Sequence, residues 1–555
     1  MNNTFIELIC TCTDIGVIDM SQVLGGQPII IMKEGTTQTR GHEALGNNIA
    51  AAKAVANAVR STLGPLGMDK MLVSGVGDIV ITNDGATIVD EMDIEHPAAK
   101  MMVEIAKTQD QEAGDGTTTA VVLAGELLSR AEKLVADSVH PTVIASGYQL
   151  AAEQAATFLA SIAKPVTPAD TTLLRRIAMT AMTGKGAEVA MDRFADMVVK
   201  AIGMVVDEDG TVDPDFVKVE KKVGGSFDDS VLVEGVVLLK ERVHPGMPKK
   251  VENAKVLLLN APIEYKKTES SAKIRLTEPG QEQAFLDNDE RMSREMAERV
   301  IRTGADVVFS QKGIDDLAQH HLAKAGILAV RRLKTSDLKR LARATGAAIL
   351  TTLDDIQPEH LGWAGLVEER IMAADEVVVI EKCKYPRAVT ILLHGGTEHV
   401  VDELERAIHD AVRVVGIVVE DGRYVVGGGA PEVALARMLR EYATTIGGRE
   451  QLAVEAYAQA LEVIPRTIAE NAGLDMVDAV VALRAAHDAG CQTAGVDVRT
   501  GEAVDMEVAG VVEPLRVKTQ AISSATEAAV MILRIDDIIA SSKDHAAEGG
   551  APGGY

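Results

Sequence analysis

The segment GDGTTT at 114–119 places one carboxylate between two glycines, with three threonines directly behind it. Glycines let a backbone turn tightly and approach a ligand. A helix opening at Thr117 would present the N–H groups and hydroxyls of Thr117, Thr118 and Thr119 at its positive end, behind the Gly116 backbone. That is a phosphate cradle. Asp115 beside it is placed to hold a Mg²⁺ ion that bridges phosphates. No lysine follows, so this is not the G-x-x-x-x-G-K-[ST] loop. An ordinary helix N-cap, with Asp115 and the threonines satisfying free N–H groups, explains the same letters.

Other candidates are weaker alone. Asp84 lies in IVITNDGATIV, 79–89, which reads as two short strands joined at Asn83-Asp84-Gly85, a hairpin-turn signal. Asp410 lies on a helical pattern over 402–419 whose apolar stripe is Leu404, Ile408, Ala411 and Val415. Counting about 100° per residue, Asp410 is off that stripe by about 120° and reads as solvated. Gly64-Pro65 and Gly427-Gly428-Gly429 suit backbone lying flat on a nucleotide, or simple helix and strand termination. Lys185, between Gly184 and Gly186, reads as a phosphate sensor or as a loop lysine. His320 and His321 are adjacent and point apart, a poor metal pair. Cys10 and Cys12 have no matching second half of a metal site. The polar stretch 264–290, interrupted by Pro279-Gly280, is a surface insertion or a lid.

The elements that must position these residues are legible in part. Apolar residues recur every three or four positions from Leu45 to Leu63, then over about 97–113 and 117–137. Helical patterns continue from 141 to about 203, and the segment from about 212 to 260 is rich in strands. Over 287–392 helices and strands alternate, which predicts a parallel or mixed sheet flanked by helices. After 427 the chain is mostly helical again, with a strand-like patch at 496–512. The outer parts share one character and the middle another, so the chain is expected to leave a domain and return to it.

Composition bounds the rest. Hydrophobic residues make up 47% and charged residues 25%, ordinary for a globular chain. Only seven Phe, seven Tyr and one Trp are present, so the core must be built from aliphatic residues and the 21 Met. The net charge of −26 disfavours nucleic acid and anionic membrane surfaces as partners. No apolar run reaches the roughly 18 residues of a membrane helix, and no Lys or Arg precedes Lys33 as a signal peptide would require. Four scattered cysteines without CxxC spacing fit a reducing, cytoplasmic setting.

Taken together, eight segments resemble the group II chaperonins and, within them, the archaeal thermosome subunits. They are LGPLGMDKML (63–72), TNDGATI (82–88), GDGTTT (114–119), TGKGAE (183–188), KKTESSAKI (266–274), IHDA (408–411), GGGAPE (427–432) and GVVEPLRVKTQAI (510–522). They run in family order from about residue 20 to 541.

The resemblance implies a multidomain chaperonin fold: a mainly helical equatorial ATP-binding domain, a small α/β intermediate hinge domain and an α/β apical domain with a helical lid protrusion. The equatorial domain is expected at 20–168 and 428–545, the intermediate at 169–239 and 392–427, and the apical at 240–391. The lid protrusion would fall at about 264–290, with no separate co-chaperonin lid. Residues 1–19 have no family counterpart and are an extension of doubtful structure, and 546–555 form a Gly-rich tail where the family often has Gly-Gly-Met repeats. The implied activity is ATP-driven folding of unfolded proteins by self or paralogous subunits in two stacked rings of eight or nine. By family motif, Asp115 is the Mg²⁺ ligand, and Thr117, Thr118 and Thr119 bind phosphate next to Gly116. Leu63, Gly64 and Pro65 lie along the nucleotide, Gly428 and Glu513 lie near its base and ribose, and Lys185 senses the γ-phosphate. Asp84 and Asp410 position and activate the attacking water. Two alternatives are an ATP-binding ring scaffold or holdase with little turnover, and a small-molecule phosphotransferase, for which no acceptor-side constellation is found.

Overall fold

The computed structural model describes residues 22–24, 27–29, 36–187, 190–264, 279–354, 356–372, 375–385 and 387–541. The extension at 1–19, Cys10 and Cys12, most of the expected lid and the Gly-rich tail lie outside them.

Three separate apolar cores account for most of the buried side chains. The first is drawn from both ends of the described chain. It joins helices Gly41–Arg60, Pro97–Ala113, Thr117–Ala136 and Pro141–Ile162 to Ala430–Ala443, Glu450–Leu461, Val463–Asn471, Met476–Asp488 and Leu515–Leu533. Alanine and glycine let these helices approach closely: a Cβ added at Gly125 would lie 2.3 Å from the Ala56 Cβ. Two of the few aromatics, Tyr148 and Tyr457, meet edge to face at 5.4 Å. Each hydroxyl has a partner, Leu127 O at 2.8 Å and Thr526 Oγ1 at 2.7 Å, as buried phenols require.

The second core packs helices Thr171–Met182, Met191–Val205 and Glu398–Asp421 on a three-stranded sheet. In that sheet Val389–Gly395 lies between Val217–Val223, parallel to it, and Val231–Val233, antiparallel to it.

The third core surrounds a seven-stranded mixed sheet. Its order is Leu328–Val330, Val307–Ser310, Lys250–Leu259, Gly362–Met372, Asp375–Cys383, Gly235–Leu238, with Ile349–Leu350 also paired to Lys250–Leu259. The parallel pairs lie where helices and strands alternate, as their pattern predicts. Strand Gly235–Leu238 pairs with Asp375–Cys383, so this sheet starts slightly ahead of the boundary expected at 239.

Two local expectations are corrected. Residues 79–89 are not a hairpin. Strand Ile79–Thr82 pairs back with Lys70–Val73, and the chain after Asn83 enters helix Gly85–Glu91. An Asp before Gly suits a hairpin turn and an N-cap equally, and here the cap wins because Asp84 accepts from the N–H groups of Ala86 and Thr87. Pro279 and Gly280 belong to helix Pro279–Arg302 and do not break it at that point.

One buried charge ties together the helices of the first core that face the site. Glu462, fully buried between Glu450–Leu461 and Val463–Asn471, accepts from Arg440 Nη2 at 2.6 Å and Arg484 Nε at 2.7 Å. Burial pushes its carboxyl pKa up, but the hydrogen bonds and charges of Arg484 and Arg440 outweigh this and hold it below the ordinary value. This stabilisation is complete above the unfolded-state glutamate pKa of about 4.3 and is lost as pH falls through the lower folded value. Removing one member of a buried pair costs about 3–5 kcal/mol. Both guanidiniums are partly exposed and can rehydrate, so Glu462→Ala is expected to lower stability by about 2–3 kcal/mol at neutral pH. Urea denaturation of wild type and variant at pH 7 and pH 3 checks this, with the difference shrinking at the lower pH.

Candidate functional site

Helix Thr117–Ala136 starts abruptly because Gly116, its N-cap, sits at φ +80°, a left-handed conformation that favours glycine. No side chain caps this end. Asp115 therefore does not satisfy the free N–H groups, and the N-cap alternative is set aside. The loop before the helix is held from behind. Fully buried Gln109 donates through Nε2 to Asp115 O at 2.8 Å and to Val517 O at 3.2 Å. With its carbonyl tied back, Asp115 is left beside an open helix N-terminus.

Asp84 arrives from the start of helix Gly85–Glu91. Besides its capping bonds it accepts from Thr87 Oγ1 at 2.7 Å and Thr117 Oγ1 at 3.2 Å. The two helix N-termini thus share one carboxylate. Neighbouring Asn83 donates from its amide to Gly184 O, which holds the loop carrying Lys185 over the site.

Asp410 comes from the second core, on helix Glu398–Asp421. It is not solvated, being 8% exposed. The helix is covered on two sides, by its own core on the apolar stripe and by the Lys185 loop on the other. The Lys185 ammonium lies 2.7 Å from Asp410 Oδ2 and 3.2 Å from Asp115 Oδ1. Burial works against the charged ammonium, but Asp115, Asp410 and Asp84 outweigh it and hold its pKa above the ordinary lysine value. Burial and the charges of Asp84 and Asp115 push the Asp410 carboxyl pKa up, with Lys185 opposing. Three carboxylates around one ammonium leave a net formal charge of −2, the deficit a divalent cation would fill.

These groups line a cavity of about 550 Å³. Leu63, Gly64, Pro65, Asp84, Asp115, Gly116, Thr117, Thr118, Thr119, Lys185, Gly428 and Glu513 all line it. Asp410 does not. It faces a second cavity of about 580 Å³ that shares Asp84 with the first, and it reaches the first through Lys185. One end of the site is thus polar and charged. The other is walled by Ile464, Ile468, Val496 and Met506, suited to a flat apolar ring. His320 and His321 lie elsewhere, on helix Asp316–Lys324, and no cluster of three or more metal-binding side chains occurs among the described residues.

Sequence reasoning missed several participants. Lys518, almost wholly buried, places its ammonium 2.9 Å from Glu432 Oε1 and 3.1 Å from Glu513 Oε2. It is the fourth residue of helix Leu515–Leu533, where nothing local marks a lysine as buried. Gln109 and Asn83 likewise look like surface polar residues until their backbone partners are known.

The TCP-1/cpn60 chaperonin family profile matches residues 55–543. The chain is 59% identical over 537 residues to thermosome subunit beta of Archaeoglobus fulgidus, covering 95% of this chain and 98% of that one. It is 60% identical over 519 residues to a thermosome subunit of Methanopyrus kandleri, covering 93% and 95%. A solved open-state monomer of a group II chaperonin from Methanococcoides burtonii superposes with a TM-score of 0.59 at 52% identity, covering 76% of this chain and all of that one.

The Lys518 cluster generates a test that needs no ligand. Burial opposes the lysine charge, but Glu432 and Glu513 outweigh it and raise its pKa, so its contribution is present throughout neutral pH. Lys518→Met would leave buried Glu432 and partly exposed Glu513 without a counter-charge and is expected to destabilise by about 2–4 kcal/mol. Adding Glu432→Gln should recover part of the loss, and chemical denaturation of the single and double variants checks both.

Proposed function

The chain belongs to the TCP-1/cpn60 chaperonin family, and from that premise we propose that it hydrolyses ATP at the cavity around Lys185 to drive the enclosure of unfolded proteins. It is a subunit of an ATP-dependent chaperone that forms a double-ring chamber. The observation that carries the ATPase reading is the meeting of Asp115 and Asp410 on one ammonium, with Asp84 on Thr117, beside an uncapped helix N-terminus.

The residues fit a nucleotide with its metal. Open N–H groups at Thr117, Thr118 and Thr119 suit phosphate oxygens, and the carboxylate excess suits Mg²⁺, with Asp115 as its ligand. When bound, the ion neutralises charge on the phosphates being separated. Leu63, Gly64 and Pro65 would follow the nucleotide, and Gly428 and Glu513 would lie near base and ribose. Lys185 would exchange one carboxylate partner for the γ-phosphate. Asp84, fixed by its capping bonds, and Asp410 would hold the attacking water between them and take its proton. Asp410 rides on the helix of the second core, so chemistry would depend on how that core sits on the first.

The first core would be the equatorial domain, the second the intermediate hinge and the third the apical domain that receives clients. The hairpin Lys70–Val73 with Ile79–Thr82 leaves Met71, Val73 and Val76 exposed, which suits burial between subunits. Rings of eight or nine, a lid built from the segment near 264–290 in place of a separate cap, and a cytoplasmic setting complete the reading. No helix among the described residues is long and apolar enough to cross a membrane. The holdase alternative is not favoured, since it has no use for a third carboxylate delivered from another core.

Two measurements test this. Light scattering of the purified protein with Mg-ATP is expected to give a particle of sixteen or eighteen subunits, and a stable monomer would count against the chamber. Asp410→Ala should lower ATP turnover by about 10²–10⁴-fold while nucleotide binding persists, and unchanged turnover would remove Asp410 from the mechanism.

A further inference from the structure

Asp410 is not the only residue of its helix that meets the first core beside the Gly114–Gly116 loop. Arg413, one turn further along Glu398–Asp421, donates from Nη1 to Asp110 O at 2.8 Å. That carbonyl closes the end of helix Pro97–Ala113, because Gly114 N–H donates to the same oxygen at 2.9 Å. One acceptor is therefore shared by the last turn before the Gly114-Asp115-Gly116 loop and by a guanidinium from the second core. A carbonyl has two lone pairs, and both are used.

The backbone is shaped for this contact. Gly114 stands at φ +67°, and a Cβ built on it would lie 2.4 Å from the Arg413 Cβ. Helix Glu398–Asp421 thus packs against the loop at a distance only glycine permits, and the arginine stem is what it meets. Arg413 Nη1 is also 3.4 Å from Asp110 Oδ2. Burial pushes the Asp110 carboxyl pKa up, with Arg413 opposing.

Asp410 and Arg413 are on one rigid helix, three residues apart. Through Lys185 the first meets Asp115 from one side, and through Asp110 O the second fixes the loop carrying Asp115 from behind. We propose that Arg413 is a positioning residue that registers the Asp410 helix against the Gly114–Gly116 loop, so that the two carboxylates hold a fixed separation when the second core closes on the first. It does not touch nucleotide. Its effect is geometric, and small displacements of reacting groups by remote changes can cost about 10²-fold in rate. The inference rests on the assignment of Asp410 made above.

The test uses the full assembled chain, with steady-state ATP turnover and nucleotide affinity measured separately. Arg413→Met keeps the stem that packs on Gly114 and removes the donor. Its kcat is expected to fall about 10–100-fold, with nucleotide Kd within about threefold and the oligomer mass unchanged, the signature of an interaction made on the way to the transition state. Arg413→Lys restores a donor and should recover part of the rate. Arg413→Ala should match Arg413→Met, and if it fails to assemble the methionine variant decides. Wild-type kcat in Arg413→Met overturns the proposal, as does a loss seen only in Kd, which would make the contact a prop for the binding loop. Asp410→Ala runs alongside. If it too keeps wild-type turnover, the catalytic assignment fails. If it loses turnover while Arg413→Met does not, only the positioning role fails.

Discussion

Carboxylates brought within a few ångströms of one another in a partly buried site repel strongly unless positive charge lies between them. Asp84, Asp115 and Asp410 are in that position, and the Lys185 ammonium is what joins two of them directly. The three acids come from a helix cap, a loop and a helix of a different core. Their meeting therefore constrains how the first two cores sit against each other.

Two features make the constraint sharp. The supporting elements are rigid: Asp84 is fixed by its own capping bonds, and the Asp115 carbonyl is tied to the buried Gln109. Within the first core the helices approach closely through glycine and alanine, as at Gly125 and Ala56. A first core so poor in aromatics is densely packed aliphatic surface, and close-packed interiors transmit displacement more readily than they absorb it.

Two buried charge networks brace the elements around the cavity. Glu462 gathers Arg440 and Arg484 from two helices, and Lys518 gathers Glu432 and Glu513. Each is a charge whose burial is tolerated because its partners are built into neighbouring elements.

The sequence alone was enough for the glycine-led start of helix Thr117–Ala136, the long helices with their periodic apolar stripes, the alternation that makes the mixed sheet, and the return of the chain to its first core. Those are local or repetitive signals: a glycine pair before threonines, a period near four, a strand after each helix. It misread 79–89, because an Asp-Gly pair satisfies a turn and a helix cap equally and only the pairing of Ile79–Thr82 with Lys70–Val73 decides between them. It left Asp410 on a solvated face, because a helical wheel knows one neighbour and this helix has two. Lys518, Gln109 and Arg413 carried no local mark at all. Each has at least one partner far away in the chain: Val517 for Gln109, Glu432 for Lys518 and Asp110 for Arg413. Composition and spacing set which chemistry was available to this protein. Tertiary packing decided which charges became neighbours, since electrostatics and hydrogen bonding act over distances in space that sequence order does not measure.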